Sequence, residues 1–133
     1  MKTDVEEKLI VRESFAMFYG GGEIFFIQLD GLHQHKALVM EKFARDMEAL
    51  AKPSAPSQTA VHLKDTMLDK EMALSILRQM NSPGQHQKKV AVVGLNLRGR
   101  RLFQRLLRDM DPPARFVCEF FADYEQAKMW LVQ

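Results

Sequence analysis

Four times along this chain a short apolar stretch gives way to a segment with charged residues between regularly spaced apolar ones, and that alternation limits the fold more than any single motif. Residues 23–29, EIFFIQL, are rich in Ile and Phe and read as a strand that Asp30-Gly31 ends. From about Gln34 to Ala51, Val39, Phe43, Met47 and Leu50 recur at helical spacing, and KPSAPSQ (52–58) breaks the pattern with two prolines. TAVHLK (59–64) predicts a second strand, and Met72, Ala73, Ile76, Leu77 and Met80 define the buried face of the next helix, which Asn81-Ser82-Pro83-Gly84 stops. Val90–Val93 is a continuous apolar strand leading to a helix over about Leu97–Met110, closed by Pro112-Pro113. A last strand is expected over Arg115–Phe121, and Asp123-x-x-Gln126 suits the start of a C-terminal helix. Strand and helix in strict alternation argue for a layered α/β domain whose strands pair mainly in parallel.

The segment before the first strand reads two ways. Thr3-x-x-Glu6 has the form of a helix capping box, whereas Leu9-Ile10-Val11 favours a strand that Gly20-Gly21-Gly22 would fold back as a hairpin; the strand reading is preferred, with the first residues frayed. Residues 1–19 are thus an extension or a first strand, and the 133 residues form one domain, a length at which folding buries roughly two-thirds of the unfolded chain's surface.

Composition removes several function classes. Apolar residues make up 47% and charged ones 27%, an ordinary globular balance, and no run approaches the ~18 apolar residues of a spanning helix. MKTDVEEKLIVRE is too acidic and too interrupted for a secretory signal, so a cytoplasmic protein without a transmembrane segment is expected. The lone Cys118 agrees, because no disulfide framework can form within the chain. In its strand Cys118 alternates with Phe116 and Phe120 and reads as a buried apolar residue, with Phe120 in the core beside Ile27 and Val92. His33-x-His35 supplies two ligands, but His62, His86 and Cys118 are scattered, so neither a metal nor another cofactor is expected. No Ser-His-Asp set or carboxylate pair emerges from spacing.

The net charge of +2 conceals an asymmetry. Between 88 and 108 there are seven basic residues and no acidic one, enough for a local field but not for a specific nucleic-acid binder. Within this stretch GLNLRG has the G-x-x-x-x-G spacing of a phosphate loop, yet the Lys and the Ser or Thr that should follow the second glycine are Arg100 and Arg101. Arginine pairs with phosphate but cannot supply the hydroxyl that holds magnesium, so nucleotide hydrolysis is not expected. Instead, Gly94 permits a tight turn, Asn96 caps the helix and Gly99 allows close packing. Arg98, Arg100 and Arg101 crowd the first turn against the helix dipole, and Arg98, Arg101, Arg105 and Arg108 share a face. An anion would relieve both costs, which makes Asn96, Arg98, Arg100, Arg101 and Arg105 a candidate anion site.

The strand EIFFIQLDG, the segment VHLKDTMLDKEMALSIL, the unit KKVAVVGLNLRGRRLF and the ending FFADYEQAKMWL together resemble the successive units of STAS domains, the anti-sigma-factor-antagonist family, over roughly residues 20–132. The resemblance implies a small mixed, mostly parallel sheet with about four helices largely on one face. It further implies a non-enzymatic role in binding another regulatory protein, kinase-like or of anti-sigma type. Where that family commonly has Asp-Ser-Ser-Gly-Leu, with one serine phosphorylated to switch binding, this chain has Asp69-Lys70-Glu71-Met72-Ala73. The acceptor serines are absent, Thr66 and Ser75 lie nearby, and Ser75 falls about two turns into the helix. What the resemblance implies is therefore a partner-binding surface at Asp69, Lys70, Glu71 and Met72 without the phosphorylation switch. The other reading is a sensor that holds an anionic or amphipathic small molecule, or a lipid, near the Arg-rich helix start.

Overall fold

Three of the four helices begin on a side chain that the sequence places for the purpose. The computed structural model describes residues 9–133. In it Asp69, Asn96 and Asp123 each accept a hydrogen bond from the backbone N–H three residues on, at Met72, Gly99 and Gln126. The elements run β1 (Phe15–Tyr19), β2 (Gly22–Gln28), α1 (Lys36–Leu50), β3 (Gln58–His62), α2 (Lys70–Met80), β4 (Lys89–Val93), α3 (Leu97–Arg108), β5 (Val117–Phe121) and α4 (Tyr124–Leu131). Thr3 and Glu6 lie outside the described residues.

The strands form one five-stranded sheet in the order β1-β2-β3-β4-β5. β1 is antiparallel to β2, and every later pairing is parallel. Because the three β-α-β crossovers step the same way along the sheet, their common right-handedness puts α1, α2 and α3 on one face. The main core lies there: Ile27, Val61, Val90 and Val92 from the sheet meet Phe43, Met72, Ile76, Leu77 and Phe103 from the helices. α4 covers the other face, where Ala127 and Leu131 pack on Ile24, Phe26, Ala60, Ala91 and Val93. The layered α/β class is as expected, with three helices on one side and the last on the other.

Two strands lie elsewhere than the sequence suggests. Leu9–Val11 are not in a strand; β1 begins at Phe15. The turn explains this. Gly20 and Gly21, with φ of 56° and 88°, close a two-residue hairpin that pairs Tyr19 with Gly22 and, counting back, Phe15 with Phe26. By that register Leu9–Val11 would fall opposite the Asp30–Leu32 turn, where β2 has already ended. Ser14 takes over at the boundary, its Oγ accepting the Gln28 N–H at 3.0 Å. β5 likewise starts at Val117 instead of Arg115, because the Arg115 N–H donates to Asn81 Oδ1 at 2.8 Å and its guanidinium to the Asn81 and Ser82 carbonyls. Phe120 does face the main core, against Phe103 with ring centroids 6.3 Å apart, but on this edge strand it is only half-buried.

Candidate functional site

The C-terminal ends of β2, β3 and β4 and the N-termini of α1, α2 and α3 lie along one edge of the parallel sheet, where such domains commonly present ligand-binding groups. Asp69 occupies this edge as the cap of α2, its Oδ1 accepting from the Met72 N–H at 2.8 Å. Its other oxygen receives Lys36 Nζ, from the first residue of α1, at 2.9 Å, and the same ammonium reaches Glu71. The Met72 N–H, with Lys36 behind it, holds the Asp69 carboxyl below the usual carboxylate range; Glu71 and Asp69 together raise the Lys36 pKa. These groups are exposed, so the bridge orients the two carboxylates more than it stabilises the fold. Lys70 and Glu71 face solvent, whereas Met72 is 2% exposed and belongs to the core. Met72 therefore cannot offer its side chain to a partner, because the helical period turns position 72 inward with Ala73, Ile76 and Leu77.

Neither nearby hydroxyl is a free substitute for the missing serines. Thr66 Oγ1 accepts the Leu32 N–H and donates to the Leu29 carbonyl, which ties the end of β2 to the loop before α2. Ser75 is half-buried within α2 and accepts from Gln79 Nε2 at 3.1 Å.

The G-x-x-x-x-G segment forms the neighbouring start of α3. Gly94 leaves β4 at φ +88°, so close to the β3–α2 loop that a Cβ would lie 2.7 Å from Lys64 Cβ. Asn96 Oδ1 accepts from the Gly99 N–H at 2.8 Å, so a helix-start donor that could serve a phosphate is already taken. The parallel strands follow one another without a reversal of order, so the sheet lacks the crevice in which doubly wound folds seat nucleotides. Arg98, Arg100, Arg101 and Arg105 are exposed and enter no ion pair among the described residues; the Arg100 guanidinium lies 5.8 Å from the Phe120 ring centroid. Lys89 is spent elsewhere, bonded to the Trp130 carbonyl at 3.0 Å, so the basic stretch 88–108 is not one patch.

A groove of ≈530 Å³ joins the two predicted sites, with Asp69 and Lys70 on one side and Asn96 and Arg98 on the other. Met67 lines it while remaining 67% exposed, and Leu97, 61% exposed, stands at the start of α3 beside it. Apolar side chains ringed by charge in this way resemble the centre and rim of a protein interface.

An adjoining cleft of ≈640 Å³ has Arg12, Asp30, His33, His35 and Lys64 in its wall, and its Asp30 meets a strand histidine, His62, that no motif marks. His62 Nδ1 and Asp30 Oδ1 lie 3.6 Å apart, both buried and without a hydrogen-bond partner among the described residues. The Tyr124 ring meets His62 edge-on at 4.8 Å, while its hydroxyl donates to Gln28 Oε1 at 2.7 Å. A signal existed: strand alternation puts His62 on the same face as Ala60, so a polar residue there must be buried with something. Its partner, Asp30, comes from a turn 32 residues earlier, where local sequence marks only the end of a strand. Among the described residues no set of three metal-ligating side chains converges, His33 and His35 included.

Burial lowers the His62 pKa against the opposing pull of Asp30, while Arg12 and Lys64 add to the fall. The unfolded chain therefore takes up this proton before the folded one does. The stability that neutral His62 contributes is present above about pH 6.5 and is lost as pH falls through the lower folded value. His62→Gln should flatten the stability profile between about pH 7.5 and 5, as urea denaturation at each pH would register. An unaltered slope would remove His62 as its source. Cys118 is inert by a similar argument, burial chiefly, and then Glu119, pushing its thiol up to about 12.

Comparison with protein-family models, with curated proteins and with solved structures found no match for this chain. The functional reading rests on its own residues.

Proposed function

We propose that this chain is a STAS-like regulatory module that docks another regulatory protein through the exposed starts of α2 and α3 and carries out no catalysis itself. The observation that carries this reading is the groove in which Met67 lies exposed, with Leu97 exposed beside it, between the Asp69–Lys70–Glu71 corner and the α3 arginines. A partner of kinase-like or anti-sigma type would present apolar side chains to the centre and charges of both signs to the rim. The corner is preset by Lys36, so docking needs neither kinase nor phosphatase treatment. The reading includes a cytoplasmic setting; among the described residues no helix is long and apolar enough to cross a membrane.

Reversing both exposed charges, with Lys70→Glu and Glu71→Lys, should weaken capture of the partner about tenfold or more, the scale of a charge pair at a desolvated interface. Loss of the exposed Lys36–Glu71 contact should leave the melting temperature nearly unchanged. The check is a titration of the co-purified partner against both proteins, with folding followed in parallel; equal affinities would remove this corner from the site.

A second reading, a sensor for an anionic or amphipathic small molecule or lipid, is favoured by the α3 guanidiniums that lack ion-pair partners among the described residues. A metabolite or lipid retained through purification, and released when Arg98 and Arg101 are changed to Glu, would select it over protein docking.

A further inference from the structure

At the far end of the sheet from β5, the outer side of β1 has no neighbouring strand among the described residues. Nine large apolar side chains are exposed among the described residues, and five of them, Ile10, Val11, Phe15, Met17 and Phe18, fall in this one segment. Exposure is therefore concentrated on β1 and its approach. The strand FAMFY contains no charged residue and no proline, and its pairing with β2 runs without a bulge. These are the devices by which edge strands usually avoid pairing with another chain, and β1 has none of them. β5, at the opposite edge, carries the exposed Glu119 at its centre.

The hairpin determines which backbone groups of β1 are free. Tyr19 and Gly22 flank the two-residue turn and exchange both their hydrogen bonds, and paired residues then alternate. Phe15, Met17 and Tyr19 accordingly turn their N–H and C=O groups toward β2. Ala16 and Phe18 turn theirs outward, where no strand of the described residues receives them.

We propose that the partner of this edge is a second copy of the same chain, with β1 pairing antiparallel to β1 about a twofold axis through Met17. A twofold axis perpendicular to the sheet keeps like faces together, so odd-numbered residues must meet odd-numbered ones. Only the register centred on Met17 then pairs all of Phe15–Tyr19. In that register Ala16 and Phe18 of each copy exchange N–H···O=C bonds, so the outward groups satisfy one another. Phe15 comes opposite Tyr19 on the α4 side, an aromatic cross-strand pair, and Ala16 opposite Phe18 on the other, small against large. No like charges face each other, since Glu13 falls opposite Gly21. Pairing β1 with β5 instead would be head-to-tail and would not close, and it would lay Glu119 against an apolar strand. The two five-stranded sheets thus join into one continuous sheet. This proposal does not rest on the docking function, whose groove lies at the ends of β3 and β4.

Ala16→Pro separates the possibilities. It deletes a donor that the single chain does not use and that the twofold pairing needs, and an edge strand tolerates proline where its N–H faces solvent. The wild-type chain should show a dimer mass by light scattering at micromolar concentration, with the Ala16 and Phe18 amides gaining hydrogen-exchange protection as concentration rises while Met17 is protected throughout. Ala16→Pro should raise the dimer dissociation constant about tenfold or more. Should that variant fail to fold, Phe18→Lys provides the same test without altering the backbone. A wild-type monomer at every concentration, as when the chain's own first residues cover the edge, would overturn the proposal. So would a dimer indifferent to both substitutions, or one protected at Val117–Phe121 in place of β1.

Discussion

Phe43→Ala should cost about 3 to 5 kcal/mol, a large share of the stability of a domain this size. Phe43 is 0% exposed on the inner face of α1 and belongs to the core that joins α1, α2 and α3 to the sheet. Its loss leaves a cavity that elements on every side would have to close. Phe120→Ala, which the sequence alone would place in the same range, should cost only about 1 to 2 kcal/mol, because less apolar surface returns to water from a half-buried edge position. Urea denaturation of the two variants beside the wild type measures both. A Phe120 loss equal to that of Phe43 would mean that β5 is covered in solution by something beyond this chain.

Gly94→Ala should cost about 3 kcal/mol or more, combining roughly 1 to 3 kcal/mol for a side chain at this backbone conformation with a backbone clash. The added Cβ would meet Lys64 Cβ at 2.7 Å and Lys64 N at 3.0 Å. Neither side can easily give way. The Gly94 N–H is bonded to the Phe121 carbonyl at 2.9 Å, and the Val93 carbonyl accepts from Leu63 at 2.9 Å, so ladders on both flanks hold the turn. Because Lys64 belongs to the β3–α2 loop, the same substitution should disturb the groove between α2 and α3. A stability loss within about 0.5 kcal/mol, typical of a surface change, would show that the close approach is not rigid.

What could be read in the sequence follows from the range of the interactions involved. The buried stripe of α2 appears residue for residue in its spacing, and the caps at Asn96 and Asp123 were legible because capping spans only three residues. The order of strands and helices was legible for the same reason. Features set by distant residues were not. β1 begins at Phe15 because a glycine turn sets its register and Gln28 ends its partner, which no local propensity of Leu9–Val11 reveals. The half-burial of Phe120 depends on β5 being an edge, and the Asp30–His62 pair on two strands lying side by side. Of the surface that the resemblance implies, Asp69, Lys70 and Glu71 are exposed, while Met72 turns inward by the periodicity that identified the helix. Lys36, which bridges Asp69 and Glu71, lay beyond reach because it comes from α1, 33 residues before Asp69.

The central claim, docking at the starts of α2 and α3, is tested most directly by hydrogen-exchange mass spectrometry of the full chain with and without its captured partner. The account predicts new protection confined to the loop and first turns around Met67–Met72 and Leu95–Arg101, with the β1 amides unchanged at fixed protein concentration. Protection confined to another surface, with exchange at both of these helix starts unaltered, would contradict it.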